Sequence, residues 1–314
     1  MSDLEKRSNR IKEVSDPLPG SVPYTNVRKI HVPERCNGLS LIRFLEELKT
    51  HLSTPDWLAV IAAGNLRQED REFSPQMVVR AGECFVNLIP DTVEPDVDSD
   101  IRVIYEDPSL FIVDKPAPLP VHPSGRFNKN TVIFILNLAF PEFDLRPVHR
   151  LDANTTGILI FAKTKEAAKM MAQQFENHKV EKTYLVRVQG HPCHDTFHCD
   201  LPIHKSPHES GVRIVDDKGL ESMTRFQVLS RFPDGTSLLE AQPTSGRTNQ
   251  IRLHLKEQGH PVLGDSVYAD SRDLTTGFCQ QQKLFLHAWM IRFVHPHSER
   301  ELLLSTEKPA WAIS

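Results

Sequence analysis

The residues best suited to carry out chemistry lie in the run Arg146–Gly157, RPVHRLDANTTG, which leads directly into an apolar strand. A loop rich in His, Arg, Asp and Thr beside a buried strand is where a rigid scaffold can hold a reactive group. Asp152 in this run offers a carboxylate that can act as a nucleophile or pair with a positive charge. From this run alone a structural interpretation is equally open, in which Asp152 caps a turn or pairs with Arg150.

Two further runs carry groups that could act together with this carboxylate. The run Pro243–Leu255, PTSGRTNQIRLHL, joins a glycine-containing loop to a predicted helix that carries Arg252. An arginine close to Asp152 would keep the carboxylate ionised and fix its direction, although helix geometry alone favours a solvated basic face. The run Glu181–Gly190 begins a strand at Tyr184, and a buried tyrosine is ordinarily a core residue with a hydrogen-bonded hydroxyl.

The elements that must position these runs are mixed. Predicted strands outnumber helices and do not alternate regularly with them, which favours an α+β fold with a mixed, largely antiparallel sheet over a doubly wound one. Strands are predicted at Met77–Arg80, Cys84–Leu88, Ile101–Tyr105, Leu110–Val113, Gly157–Lys163, Tyr184–Val188, Met223–Phe232, Ser237–Gln242 and Leu284–Val294. Helices are predicted at Ser40–Ser53, Thr54–Gly64, Thr131–Phe140, Lys165–Asn177 and Arg247–Gln258. The acidic segment Pro90–Asp100 contains prolines and is predicted to be a linker.

Composition and charge narrow the class of protein. The length of 314 residues predicts two domains, or one large domain with a smaller appendage, and the 39% of hydrophobic residues suffices for a sizeable core. No run is long and apolar enough for a membrane span, and the polar N-terminus has no apolar core for a secretory signal. Five cysteines without such a signal favour free thiols in a cytoplasmic protein. A monomer is the default expectation for the oligomeric state. A net charge of -4 means that nucleic-acid binding would need Arg and Lys clustered on one face.

Together the three runs resemble the RluA-type pseudouridine synthases. That family carries a His-Arg-Leu-Asp run followed by two variable residues and Thr-Ser-Gly, a Lys-x-Tyr strand, a Gly-Arg-x-His-Gln-hydrophobic-Arg helix, and a Gly-His-Pro-hydrophobic-hydrophobic-Gly-Asp turn. The matching residues here are His149-Arg150-Leu151-Asp152 with Thr155-Thr156-Gly157, then Lys182-Thr183-Tyr184, then Gly246-Arg247-Thr248-Asn249-Gln250-Ile251-Arg252, and then Gly259-His260-Pro261-Val262-Leu263-Gly264-Asp265.

The resemblance covers about residues 100–310 in the same order and extends to Leu110–Pro116, Val121-His122-Pro123 and Leu201-Pro202-Ile203. Two positions depart from the family pattern. Thr156 stands where serine is usual and keeps the hydroxyl. Asn249 stands where histidine is usual, so the chain loses a titratable group there, and no role beyond structure or a backbone contact is expected of it.

The resemblance implies an isomerase that converts uridine to pseudouridine in a structured RNA, with neither a cofactor nor a metal. Asp152 would be the catalytic carboxylate and Arg252 its partner, while Tyr184 would stack on the uracil and relay the C5 proton. The target base would be flipped out of its helix, with Arg150 near the vacated space and against the RNA backbone. The residues that would support and shape the catalytic loop are His149, Leu151, Thr155, Thr156 and Gly157.

Residues 33–90 resemble an S4-type RNA-binding module with few basic residues. The expected organisation is therefore a polar, poorly ordered tail over residues 1–30, a degenerate S4-like α/β module over 31–95 and a pseudouridine synthase domain over 96–314. An S4-like module favours ribosomal RNA over transfer RNA as the substrate by analogy. The sequence implies no membrane and no protein partner.

Three alternatives stay open at this level. The first is an RNA-binding protein that keeps the fold without catalysis. The second is a hydrolase that pairs Asp152 with His149, although these residues need not converge on an extended loop. The third is a zinc site in His191–His204, HPCHDTFHCDLPIH, whose spacing matches no closed zinc module.

Overall fold

A computed structural model describes residues 1–48, 50, 52–68, 74–206, 212–268 and 283–313. The chain divides into two compact units. We call residues 1–19 together with 95–314 the large unit, and residues 20–94 the small unit. The three chemistry-bearing runs all belong to the large unit.

Helix α1 spans Asp3–Val14 and belongs to the large unit, so the expectation of a poorly ordered tail over residues 1–30 is wrong for this part of the chain. A capping box between Ser2 and Glu5 begins the helix, and Ile11 is fully buried in the core. The guanidinium group of Arg7 bonds to Glu106 at 2.8 Å. Because few positions of this helix are apolar, its docking is hard to recognise from sequence.

The small unit combines a three-stranded antiparallel sheet, in the order β1–β3–β2, with two helices. Its core contains the rings of Phe44, Trp57 and Phe85. The second helix begins at Thr54, the first residue of the predicted range, and the Ser53 hydroxyl caps it by accepting from the Asp56 amide. The elements are β1 (Tyr24–His31), a 3-10 turn (Glu34–Cys36), α2 (Leu41–Glu47), α3 (Thr54–Ala62), β2 (Leu66–Arg67) and β3 (Cys84–Thr92).

Two predictions in the small unit need correction. The predicted strand Met77–Arg80 forms only an isolated bridge between Ser40 and Val78. The predicted helix Ser40–Ser53 ends earlier, at Glu47, and positions 49 and 51 of that prediction lie outside the described residues.

The large unit follows the predicted order of elements, and each predicted strand and helix has a counterpart in it. Strands β6, β9 and β13 are additional and were not predicted. The elements are β4 (Arg102–Glu106), β5 (Leu110–Lys115), α4 (Val132–Ala139), β6 (Arg146–Pro147), β7 (Thr156–Ala162), α5 (Lys165–Glu176), β8 (Glu181–Gln189), β9 (Thr196–Cys199), β10 (Thr224–Arg231), β11 (Thr236–Pro243), α6 (Gln250–Glu257), β12 (Leu286–Val294), β13 (Glu301–Ser305) and a 3-10 turn (Ala310–Ala312).

Ten strands of the described chain form one sheet in the order β4–β5–β7–β12–β8–β11–β10–β9, with β6 beside β7 and β13 beside β12. Strands β7 and β12 are parallel, with Gly157 opposite Ala288, whereas the other strand pairs are antiparallel. The α+β fold with a mixed, largely antiparallel sheet is therefore confirmed. Because β7 and β12 are parallel neighbours, the loop that precedes β7 lies beside Ala288 of β12. Ala288 in turn lies opposite Tyr184 of β8.

Both faces of the sheet are covered around β5 and β7. One face packs against α1 and α4 through Phe111, Val113, Leu159 and Phe161, and the other packs against α5 through Leu110, Ile112, Ile158 and Ile160. Helix α6 contacts β10 and β11 farther along the sheet, where Ile251 and Leu255 are buried. This packing holds β7, β8 and α6, which carry or adjoin the three runs.

Among the helices that the structure describes, none has both the length and the apolar character that a membrane crossing requires.

The substitution Ile11→Ala tests whether α1 belongs to the folded large unit. Removing a fully buried side chain leaves a cavity, so the free energy of unfolding should fall by about 3 kcal/mol. Urea denaturation of the full chain measures this value. Leu138→Ala is the control, because Leu138 is 47% exposed and its truncation should have little effect. Equal effects of the two substitutions would contradict the docking of α1.

Candidate active site

A cavity of about 310 Å³ opens beside the loop that precedes β7. It is lined by residues 150–152 and 155 of that loop, 182 and 184 of β8, 243 and 245–252 at the start of α6, and 286 of β12. The structure therefore brings together Asp152, Tyr184 and Arg252, which the sequence analysis selected from three separate runs. Arg150, Leu151 and Thr155 line the same cavity, whereas His149, Thr156 and Gly157 do not belong to its described lining.

The loop that carries Asp152 is tied to the sheet by a buried lysine. The Nζ of Lys115 donates to the carbonyl oxygens of Pro116 at 2.8 Å, Leu119 at 2.9 Å and Ala153 at 3.1 Å. Burial lowers the pKa of the Lys115 ammonium to about 7, and the Asp152 carboxylate opposes this shift. Sequence reasoning assigned no role to Lys115, although its position in the family-like strand Leu110–Pro116 was a signal.

Three further features fix the shape of this loop. Leu151 is buried in the core, and the Thr155 amide donates to the Asp152 carbonyl at 3.1 Å. Gly157 has a φ of +109°, and a Cβ at this position would lie 2.2 Å from the Ala288 carbonyl oxygen. Only glycine therefore fits this position without displacing β12.

Thr156 and His149 support the loop from outside the cavity. The Thr156 hydroxyl lies 2.7 Å from Nδ1 of His287. The Nε2 of His149 accepts from the Ile160 amide at 3.1 Å, and its ring stacks on Phe175. Burial lowers the pKa of His149 to about 3, so its imidazole is neutral. A hydrolase that uses His149 as the base for Asp152 has no support in this geometry.

Arg252 binds two carboxylates, and the closer one is not Asp152. Its Nε and Nη2 each lie 2.7 Å from an oxygen of Asp265, a bidentate pair, whereas Nη1 lies 3.4 Å from Oδ2 of Asp152. Burial alone would lower the pKa of Arg252, but the ion pairs with Asp265 and Asp152 raise it. The expected pairing of Arg252 with Asp152 is thus the longer of two contacts, and sequence reasoning did not identify Asp265.

Asp265 is held in place by its own turn. Its side chain is fully buried, and Oδ1 also accepts from the backbone amides of Val267 and Tyr268 at 2.9 and 3.1 Å. The Tyr268 ring lies 5.2 Å from the Arg252 guanidinium group. The Gly264-Asp265 ending of the family-like turn was the sequence signal for this contact.

Asn249 accounts for one departure from the family pattern. Its backbone is left-handed, with a φ of +58°, a conformation that asparagine tolerates better than most residues. Its Oδ1 accepts from Nη1 of Arg252 at 3.0 Å, and its Nδ2 donates to the Tyr268 hydroxyl at 3.2 Å. Asn249 therefore makes side-chain contacts that orient Arg252, which is more than the sequence analysis expected of it.

Tyr184 lies on β8 between Ala241 of β11 and Ala288 of β12. It is half-buried and packs against two clusters of buried apolar residues, one around β5 and β7 and one around β8, β11 and α6. Burial and the nearby Asp152 carboxylate raise the pKa of its hydroxyl, so Tyr184 is a neutral phenol at physiological pH. Such a ring offers a flat apolar surface together with one hydroxyl group.

The described lining is rich in positive charge. It contains four cationic side chains and one carboxylate: those of Arg150, Lys182, Arg247 and Arg252, and that of Asp152. Burial lowers the pKa of Lys182 to about 8, and its Nζ donates to the Ser245 carbonyl oxygen at 2.9 Å. This local excess of cations, hidden in a net charge of -4, suits a phosphate-bearing ligand.

Among the residues that the structure describes, no group of three or more His, Cys, Asp or Glu side chains is arranged to hold a metal ion. The His191–His204 segment contains β9, in which Cys199 is buried against the core.

Residues 109–257 match the model of a family described as RNA pseudouridylate synthase. The chain is 31% identical over 293 residues to ribosomal large subunit pseudouridine synthase C of Vibrio cholerae, an alignment that covers 88% of this chain and 92% of that protein. It is 33% identical over 309 residues to ribosomal large subunit pseudouridine synthase D of Nitrosomonas europaea, covering 92% and 87%.

Human pseudouridylate synthase RPUSD2 is 37% identical over 211 residues, which cover 67% of this chain but only 38% of that longer protein. Among solved structures, human RNA pseudouridylate synthase domain containing 1 superposes with a TM-score of 0.56 at 25% identity, covering 69% of this chain and 87% of that one.

Asp265→Asn tests the bidentate ion pair. The substitution leaves the buried Arg252 without its main partner, so the free energy of unfolding should fall by about 3 to 5 kcal/mol. Urea denaturation measures the loss, with Asp217→Asn as a matched control at an exposed carboxylate. A loss for Asp265→Asn no larger than that of the control would show that the pair does not stabilise the fold.

Proposed function

Because the chain belongs to the RNA pseudouridine synthase family, we propose that it isomerises specific uridines to pseudouridine within an RNA chain. The observation that carries this proposal is the meeting of Asp152, Tyr184 and Arg252 in one cation-lined cavity. The same arrangement argues against the alternative of an RNA-binding protein without catalysis, since such a protein would have no need to keep a carboxylate, a phenol and a guanidinium together.

In the proposed reaction the bond from ribose C1′ to uracil N1 breaks and a bond from C1′ to C5 forms. The C5 proton leaves and N1 takes up a proton, so the product is an isomer of the substrate. The Asp152 carboxylate stabilises the positive charge that develops at C1′ when uracil departs. The contact from Nη1 of Arg252 at 3.4 Å directs this carboxylate toward the cavity.

Tyr184 would contact the uracil ring. Its half-buried ring lies on the cavity wall, and a phenol can stack on a pyrimidine. The pKa of its hydroxyl is raised by burial and by Asp152, so the neutral phenol accepts the C5 proton only if it passes its own proton onward. We therefore assign Tyr184 to stacking and proton relay, and not to the role of an ionised base.

The target nucleotide would have to leave its stack to reach Asp152. Enzymes that act on a base in a structured nucleic acid take the base out of the helix. Arg150 is exposed on the loop two residues before Asp152, where it can contact the RNA backbone near the space that the base vacates. Arg150 and Arg247 of the lining would neutralise phosphates beside the flipped nucleotide.

Large-subunit ribosomal RNA is the proposed substrate, with transfer RNA as the alternative. The support is that the relatives that match along most of their length include ribosomal large subunit pseudouridine synthases C and D. We further propose that residues 31–95 are an S4-like RNA-binding module and 96–314 the catalytic domain. A ribosomal substrate agrees with the cytoplasmic location expected from the sequence.

Asp152→Asn tests the catalytic carboxylate. The amide nearly conserves volume but removes the charge, so pseudouridine formation should fall by at least about 10³-fold. The rate is measured on the true RNA substrate by mapping pseudouridine after carbodiimide treatment. Asp217→Asn, at an exposed position outside the cavity lining, should keep the wild-type rate. An Asp152→Asn variant with near wild-type activity would reject the assignment.

The choice of RNA is tested by incubating the purified protein with unmodified large-subunit ribosomal RNA and, separately, with unmodified transfer RNA. Pseudouridine should form at one or a few positions of the ribosomal RNA, because the cavity admits only a flipped base in a structure that fits the surrounding surface. Modification of transfer RNA alone would replace ribosomal RNA by the alternative. Modification of neither, by a folded protein, would overturn the proposed function.

A further inference from the structure

Lys182 has no part in the roles proposed so far, although it lies in the same cavity as Asp152. It precedes Tyr184 by two residues on β8, so the two side chains point to the same face of the sheet. Both line the cavity. The ammonium group of Lys182 is therefore placed beside the surface on which the uracil ring would stack.

The cationic side chains of the cavity differ in how many of their N–H groups already donate hydrogen bonds within the protein. Arg252 directs Nε and Nη2 to Asp265, and Nη1 to Asp152 and Asn249. Lys182, by contrast, donates to the Ser245 carbonyl oxygen, and within the described residues its other two N–H bonds have no acceptor. A half-buried ammonium with unused donors attracts an anionic group more strongly than an exposed one does.

The proposed isomerisation creates an anion at this place. When the C1′–N1 bond breaks, uracil leaves with the bonding electron pair, and the ring carries a negative charge shared by N1, O2 and O4. The ring then turns, C5 forms the new bond to C1′ with a ring electron pair, C5 loses its proton, and N1 gains one. After the C1′–N1 bond has broken and before the C1′–C5 bond has formed, the detached anionic ring is stabilised by a positive charge that is not already paired with a carboxylate.

We propose that the Lys182 ammonium is a further catalytic residue, which donates hydrogen bonds to the detached uracil anion and holds it in the cavity while the ring turns. This inference rests on the proposed function. Lys182 transfers no proton in this role and stays charged throughout. Its hydrogen bond to the Ser245 carbonyl aims the ammonium, since that carbonyl belongs to the loop at the start of α6 that also lines the cavity.

A purely structural role for Lys182 makes a different prediction. If the residue only tied β8 to Ser245, an uncharged N–H donor would replace it. Lys182→Gln keeps such a donor and removes the charge, whereas Lys182→Arg keeps the charge. The glutamine variant therefore separates the two roles, and Lys169→Gln, at an exposed position on α5, is the matched control.

The first measurement is the single-turnover rate at saturating RNA. Lys182→Gln should lower it by about 10² to 10³-fold, as expected for the loss of one donor to a developing anion. Lys182→Arg should stay within about tenfold of wild type. Melting temperature and RNA affinity should change little in either variant. A Lys182→Gln rate equal to that of Lys169→Gln would overturn the inference.

The second measurement is the pH dependence of that rate. The ammonium is charged below its pKa, so the wild-type rate should fall as pH rises through about 8, and Lys182→Gln should lack this fall. The charged and titratable groups around Lys182 are His149 and Asp152 from the loop before β7, Tyr184 on β8, Arg247 before α6 and Arg252 on α6. Burial holds the pKa of His149 near 3 and raises that of Tyr184, so neither produces the same profile. A fall caused by Lys115, whose pKa is about 7, would persist in Lys182→Gln, so only the fall that this substitution removes is assigned to Lys182. An unchanged profile in Lys182→Gln would contradict the proposed role.

A third measurement separates this inference from the proposed function, because it needs no RNA. 5-Nitrouracil is an acidic uracil that is anionic at neutral pH, whereas thymine is neutral. Calorimetric titration of the full-length protein should show at least about tenfold tighter binding of 5-nitrouracil, a preference that Lys182→Gln loses. If the wild-type protein modifies no RNA but shows this preference, the proposed function is wrong and the proposed anion-binding site at Lys182 is supported. If wild type modifies RNA without the preference, the anion site fails alone.

Discussion

The guanidinium group of Arg252 is shared between two carboxylates, and the geometry of the cavity follows from that sharing. Asp265 takes the two short bonds at 2.7 Å and Asp152 takes the longer contact at 3.4 Å. A buried charge is costly unless it is paired, so Arg252 stays where Asp265, Asn249 and the Tyr268 ring together hold it. One side of the guanidinium group is thereby fixed by the protein, and the other is left to orient the carboxylate proposed for catalysis.

A second constraint acts on the loop that carries Asp152, from the opposite side. Lys115 holds the carbonyl oxygen of Ala153, the residue next to Asp152, from within the sheet. Gly157 closes the same loop against Ala288 of β12, where a side chain does not fit. The loop is thus held at both ends by backbone contacts, which leaves the side chain of Asp152 directed into the cavity at little further entropic cost.

Positive charge is concentrated at one cavity of this protein, although the net charge of the whole chain is negative. A chain with a net charge of -4 presents four cationic side chains and one carboxylate along the described lining of one cavity. Each cation has a separate environment: Arg252 is paired, Lys182 is half-buried beside Tyr184, and Arg150 is exposed. Such a gradient from buried to exposed positive charge suits a ligand whose base enters the cavity while its phosphates stay outside.

The sequence by itself determined the order and type of most elements in the large unit, because apolar periodicity and caps such as Thr164 are local signals. It also selected Asp152, Tyr184 and Arg252, since their runs resemble a family. It did not show that α1 docks through Ile11, that Asp265 is the main partner of Arg252, or that Lys115 anchors the loop that carries Asp152. Those contacts join residues 13 or more positions apart in the chain, and only the parallel β7–β12 pair and the packing of the sheet decide which distant groups meet. Local residue types can predict which side chains are reactive, whereas the partner of a buried charge is set by three-dimensional packing.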